Sequence, residues 1–176
     1  MTSASELLSR PRLRRATADD MLWYFELAND AAVRRNSFTQ RRITLEEHRS
    51  WFGQKLGCVD VLMLVLEIDD QPIGQIRFDI DGDVALIGFG VASYARGKGF
   101  GAYLLRDGIQ HLHQVYPAVR IARGLVRPEN VASRRAFETS GFQEANVIPS
   151  DAVSDNRQTV VYEIDISDNS LSIESA

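Results

Sequence analysis

The chain has 176 residues, enough for one domain with a substantial core, and its 44% hydrophobic and 25% charged content is that of an ordinary globular protein. A net charge of −4 argues against nucleic acid or an anionic membrane as the main partner. A single cysteine, Cys58, rules out a disulfide framework or a cysteine-based metal site within the chain, and no metal is expected. Met1 to Arg15 lacks the apolar stretch of a signal peptide, and the longest apolar run, Val61 to Leu66, is too short to span a bilayer. A cytoplasmic location is therefore expected.

Residues 1–11 read as a loose leader, residues 12–166 as one domain, and residues 167–176 as a polar, acidic tail. Arg12 to Thr17 reads as a short strand. Thr17 with Asp20 three positions on predicts a capped helix carrying Met21, Tyr24, Phe25 and Ala28 on one side, ended by Asn29-Asp30. Ala31 to Phe38 is a short helical turn that breaks into a loop. Thr44 caps the next helix, with Glu46 and Glu47 in its first turn. Leu45, His48, Phe52 and Lys55/Leu56 share one face there, and Trp51 lies beside it.

Three strands follow: Val61 to Ile68, Ile73 to Ile80 and Val84 to Val91. Asp69 to Pro72 makes the first turn and Asp81-Gly82-Asp83 the second. A helix runs from Ala102 to about Val115, with Leu105, Ile109, Leu112 and Tyr116 on one face and Pro117 closing it. Val119 to Val126 is a strand. A helix from Asn130 turns Val131, Ala132, Ala136 and Phe137 inward and stops at Gly141. Phe142 to Val147 and Thr159 to Ile166 close the domain as a strand pair across a long loop.

Between the Val84–Val91 strand and the helix after it lies Arg96-Gly97-Lys98-Gly99-Phe100-Gly101. Glycines that let backbone N–H groups approach closely, a helix N-terminus and two cations together make a phosphate cradle. The spacing is not a Walker loop, because no Ser or Thr follows the lysine. It is not a dinucleotide fingerprint either, because Gly101 comes one position early.

Arg96-x-x-Gly99-x-Gly101 after such a strand resembles the R/Q-x-x-G-x-G/A signature of the GNAT superfamily of acyl-CoA-dependent N-acyltransferases. A second stretch, Val126-Arg127-Pro128-Glu129-Asn130 through Ser133 and Phe137 to Gly141-Phe142, resembles that superfamily's second block. The resemblance covers residues 12–166. It implies a mixed, mostly antiparallel sheet flanked by helices, an α/β (α+β) fold, with acetyl-CoA as co-substrate. It places the pantetheine arm along Phe89, Val91 and Ser93, and the pyrophosphate on Arg96, Gly97, Lys98, Gly99, Phe100 and Gly101. Asn130, Ser133 and Phe137 fall at the thiol end. Many relatives dimerise, so a homodimer is also expected.

An amine must shed a proton before it attacks a thioester, and the leaving thiolate benefits from an acid. The sequence departs from the family here, since Phe137 stands where many relatives carry an acidic tyrosine. His48, on the apolar face of its helix, is the candidate base and Tyr162 the candidate replacement acid. The acceptor half, from Asn29 to Phe38 and from Ile43 to Phe52, resembles the branch that acetylates nucleotide-linked amino sugars. That resemblance implies an acceptor site of Arg34, Asn36, Ser37, Trp51, Arg77 and Asp79, with a small-molecule amine as partner. The alternatives are a peptide N-terminal acetyltransferase of the ribosomal-protein type, an aminoglycoside acetyltransferase and a non-catalytic acyl-CoA sensor.

Overall fold

A computed structural model describes residues 10–148 and 158–167. The expected leader, the long loop before the last strand and the acidic tail otherwise lie outside the described residues. The strands are β1 (Arg12–Arg15), β2 (Val61–Ile68), β3 (Gln71–Asp81), β4 (Val84–Val91), β5 (Ile121–Val126), β6 (Gln143–Ile148) and β7 (Thr159–Asp165). The helices are α1 (Met21–Ala28), α2 (Ala31–Asn36), α3 (Leu45–Leu56), α4 (Phe100–Val115) and α5 (Val131–Thr139). One seven-stranded sheet takes the order β1-β2-β3-β4-β5-β7-β6. All neighbours are antiparallel except β4 and β5, which run parallel.

Strand alternation sorts the core into two layers. Leu62, Leu64 and Leu66 of β2, with Ile76, Phe78, Ala85 and Ile87, pack against Leu104, Leu105, Ile109 and Leu112 of α4. On the opposite face Met63 and Val65 meet Ala16, Tyr24 of α1 and Phe52 of α3. Cover on both sides is why β2 reads as an unbroken apolar run.

The caps form at the expected places. Thr44 Oγ1 accepts from the Glu47 N–H at 3.3 Å, and the Glu47 carboxylate accepts from the Thr44 N–H at 2.9 Å. At Thr17 the cap opens a 3₁₀ turn over Ala18–Asp20 before α1 begins. Three expected inward residues face out. Leu45 is 37% exposed and Val131 53%, and Ala132 is also exposed. Each sits in the first turn of its helix, and the buried residues of those two helices lie further along.

The feature that positions the site is a missing piece of ladder. β4 and β5 pair only from Val84↔Ile121 to Ile87↔Gly124. β5 instead continues alongside β7 as far as Val126↔Val160. Gly88–Val91 therefore part from β5. The Ala92 N–H bonds the Ile73 carbonyl at 2.9 Å, so by alternation Gly90 and Gly88 also bond β3. The backbone groups of Phe89 and Val91 then point into the gap.

Candidate active site

The gap opens into a cleft of about 1200 Å³, running from the glycine turn after β4 to a wall made by α1, α2 and α3. At one end Gly97 and Gly99 adopt φ of 75° and 82°, a region an L side chain enters only with strain. Gly99 caps the 16-residue α4 without a side-chain bond, so the first amides of that helix remain available as donors. A Cβ on Gly101 would stand 3.3 Å from Ala136 and 3.4 Å from the Phe89 ring, so the helix start rests on its neighbours. Arg96 donates to the Val91 carbonyl at 3.0 Å and to Asp30 at 2.6 Å. Asp30 in turn accepts from the Ala32 and Val33 amides and caps α2. Burial pushes the Asp30 carboxyl up, but Arg96 and those amides outweigh it and hold it below its usual range.

Along the gap, Asn130 bonds Ser133 twice and caps α5, accepting from the Ser133 amide at 3.2 Å and donating to its hydroxyl at 2.9 Å. Phe137 is buried. It stacks on Tyr162 at 5.3 Å between centroids and meets the edges of Phe89 at 5.5 Å and Phe142 at 4.9 Å. Its tip lies against Gly124.

At the other end His48 is 2% exposed, ringed by Phe25, Trp51 and Phe52. Burial lowers its pKa, a hydrogen bond with the Met21 backbone opposes this more weakly, and the net shift is downward. Its Nε2 is buried without a hydrogen-bond partner. Arg77 lies 5.1 Å over the Trp51 ring and bonds Asp79 at 2.7 Å, while Lys55 reaches the same carboxylate at 2.6 Å. Burial raises the Asp79 pKa, yet these two cations bring it below its usual range. Arg34 donates to the Ser37 hydroxyl at 2.9 Å and the Thr39 carbonyl at 3.0 Å. Burial, and then the nearby Arg41, lower its pKa. Arg127, 1% exposed, donates to the Ser37 and Phe38 carbonyls and faces the Phe38 ring at 5.4 Å.

Residues 10–143 match the family model of the acetyltransferase (GNAT) domain. The chain belongs to the GNAT acetyltransferase family. As a member it is an acetyl-CoA-dependent N-acetyltransferase. Among solved structures it resembles spermidine N-acetyltransferase from Vibrio cholerae with CoA and spermine, at TM-score 0.77 and 17% identity over 88% of this chain and 95% of that one. It also resembles a ribosomal L7/L12 alpha-N-protein acetyltransferase with coenzyme A, at TM-score 0.78 and 17% identity over 91% and 96%. A third likeness is to the aminoglycoside acetyltransferase AAC(6')-Ib with ribostamycin and coenzyme A, at 0.76 and 19% over 94% and 99%. At these identities the likeness is one of fold. Among curated proteins nothing matches the chain significantly.

Within this GNAT cleft the expected residues divide. Phe89, Val91, Arg96, Gly97, Gly99, Phe100, Gly101, Asn130, Ser133 and Phe137 line the end by the glycine turn, and Arg34, Asn36, Ser37, His48, Trp51 and Arg77 line the other. Ser93 and Lys98 are exposed and fall outside the lining, and Asp79 reaches the cleft only through Arg77. Tyr162, the expected acid, lies apart from these residues. It is fully buried outside the lining, and its hydroxyl accepts from Arg134 at 3.1 Å and donates to Glu138 at 2.8 Å. Burial raises its pKa, with the neighbouring Arg134 and Glu138 pulling in both directions.

The sequence reading missed Gln75 and Arg127 as cleft residues. Alternation placed Gln75 in one row with Arg77 and Asp79, which was a usable signal. A buried arginine just after a strand leaves none. Among the described residues no cluster of three or more His, Cys, Asp or Glu could hold a metal, and no helix is long and apolar enough to cross a membrane.

Proposed function

We propose that this chain transfers the acetyl group of acetyl-CoA to the primary amine of a nucleotide-linked amino sugar. The carrying observation is the opened β4–β5 seam, which joins the glycine turn at one end to the His48 chamber at the other. The donor fits this cradle. The Gly97–Gly101 amides and Arg96 suit its pyrophosphate, and the gap-facing backbone of Phe89 and Val91 suits the amides of its pantetheine arm. Bound there, acetyl-CoA supplies a thioester carbonyl open to attack by an amine.

The chain's own groups would do the rest. His48 is unprotonated at neutral pH, so Nε2 can take a proton from an incoming ammonium. The gap-facing N–H groups can polarise the carbonyl oxygen. Phe137 has no proton to give, and a thiol with a pKa of about 8.5 can leave as thiolate without an acid.

The charges along the cleft support an anionic acceptor. Arg34, Arg41, Arg77 and Arg127 line the end by α2 and α3 among the described residues, with Glu47 tied to Arg41 at 2.7 Å and Asp79 to Arg77 at 2.7 Å. Such a wall repels polyamines and aminoglycosides and suits a diphosphate. Trp51 beneath Arg77 offers a flat surface for a sugar or base.

The test is thiol release from acetyl-CoA, followed by mass spectrometry, across a nucleotide-linked amino sugar, an N-terminal peptide, spermidine and an aminoglycoside. Acetylated amino sugar is expected. Preferential acetylation of the peptide or of either polycation would overturn the acceptor assignment.

A further inference from the structure

Two buried acceptor atoms in the cleft have no hydrogen-bond partner among the described residues, His48 Nε2 and Gln75 Oε1. His48 comes from α3 and Gln75 from β3, and both residues line the same cleft. The β3–β4 register sets Gln75 opposite Gly90, the residue between Phe89 and Val91. A Cβ on Gly90 would stand 3.7 Å from the Gln75 amide and 3.6 Å from Leu27. The carboxamide therefore lies over a floor without a side chain, beside the backbone groups that face the gap. Its cross-strand partner on the other side is Val65, which is fully buried and has no side-chain donor. A buried carbonyl oxygen in that setting is an open acceptor that a ligand N–H can satisfy.

We infer that Gln75 is the positioning residue for the acceptor amine, its Oε1 and His48 Nε2 together gripping the nitrogen so that its lone pair faces the thioester. The inference rests on the proposed acetyl transfer. The proton count fits two acceptors. An ammonium has three N–H bonds. One proton passes to His48 Nε2, which frees a lone pair and leaves two N–H bonds. One of these donates to Gln75 Oε1, and the nitrogen pivots on that bond until its lone pair turns from His48 to the thioester. The lone pair then forms the new N–C bond as the C–S bond breaks. The C–S electron pair leaves on sulfur, and the second proton is released to solvent as the amide forms.

The experiment compares Gln75→Met, close in size but without the acceptor, with Gln75→Glu, which keeps an acceptor oxygen. The readouts are kcat and KM for the amine, acetyl-CoA affinity by titration, and melting temperature. The methionine variant is expected to lose roughly 10- to 100-fold in kcat with acetyl-CoA affinity unchanged, and the glutamate variant to recover most of that loss. Gln75→Met turnover within about twofold of the unaltered protein would overturn the inference. So would equal losses in both variants accompanied by a matching fall in melting temperature and acetyl-CoA affinity. If the unaltered protein acetylates no amine, the transfer reading falls and takes this inference with it.

Discussion

Gly124 is the position where one added carbon should cost most. Its φ is not in the left-handed region, so alanine meets no backbone strain. In an open strand that change would stabilise by about 0.4–1 kcal/mol through the unfolded chain. Here the new Cβ would lie 2.1 Å from the tip of the Phe137 ring, where ordinary contact begins at 3.4 Å. The ring must therefore retreat by 3.4 − 2.1 = 1.3 Å. Tyr162 lies parallel to it on one side, and Phe89 and Phe142 meet it edge-on. The open direction is the cleft that Phe137 lines. Overpacking of this kind costs about 1–3 kcal/mol, which outweighs the gain. With the gain set against it, Gly124→Ala should have a net cost of about 1–2 kcal/mol and lower the melting temperature by roughly 2–8 °C for a chain of this size. It should also raise the KM for acetyl-CoA, because the ring moves into the donor gap. A second change, Phe137→Leu, should return part of both losses, since the two residues share one contact. A Gly124→Ala protein with unchanged melting temperature and unchanged KM would refute the reasoning.

Three further outcomes follow from the charged groups. Asp30→Ala removes the cap of α2 and the anchor of Arg96 together, and thermal denaturation should register a loss of about 0.5–2 kcal/mol. Burial raises the pKa of Asp20 and Glu67, but hydrogen bonds from Arg14 outweigh it and both end below the usual carboxylate range. Their stabilisation is present above about pH 4 and lost as pH falls through the lower folded values, so the urea midpoint should drop steeply below that point, whereas Asp20→Asn should flatten the drop. His48 has its folded pKa lowered, so the folded chain resists protonation that the unfolded chain accepts below about 6.5. The acid limb of kcat/KM should lie below that value, and His48→Gln should abolish it.

Much of the donor side was legible because its signals are local. Gly97 and Gly99 between an apolar strand and a helix announce a turn that only glycine adopts freely, and the structure gives both positive φ. The Thr44–Glu47 cap and the Asp81-Gly82-Asp83 hairpin are equally short-range. Two things were not legible, for different reasons. The point where β4 leaves β5 was implied by the family resemblance alone, because it depends on register between residues more than thirty positions apart. Tyr162 read as a candidate acid or a packed strand residue, and its partners, Arg134 and Glu138, come to it only when α5 packs in place. Gln75 falls between these cases. Its alternation with Ile76 was visible, but a solvated row and a covered one differ only in whether α1 and α3 fold over them.

The interrupted ladder also divides the molecule mechanically. Strands β1 to β4 and helices α1 to α4 come from residues 12–115, and β5, α5, β6 and β7 from the chain beyond residue 120. Four residue pairs form the hydrogen-bonded hinge where these contiguous halves meet in the sheet. A ligand lodged in the seam touches both halves at once, so it acts as mortar as well as substrate, and its concentration sets how firmly they hold together. Each half can then accumulate changes with little register to keep across the joint. The glycine turn and the wall of α1, α2 and α3 lie in the first half, while Asn130, Ser133, Phe137 and Arg127 lie in the second. Changes in α3 leave the C-terminal strands untouched, whereas changes just after α2 meet Arg127 from the other half.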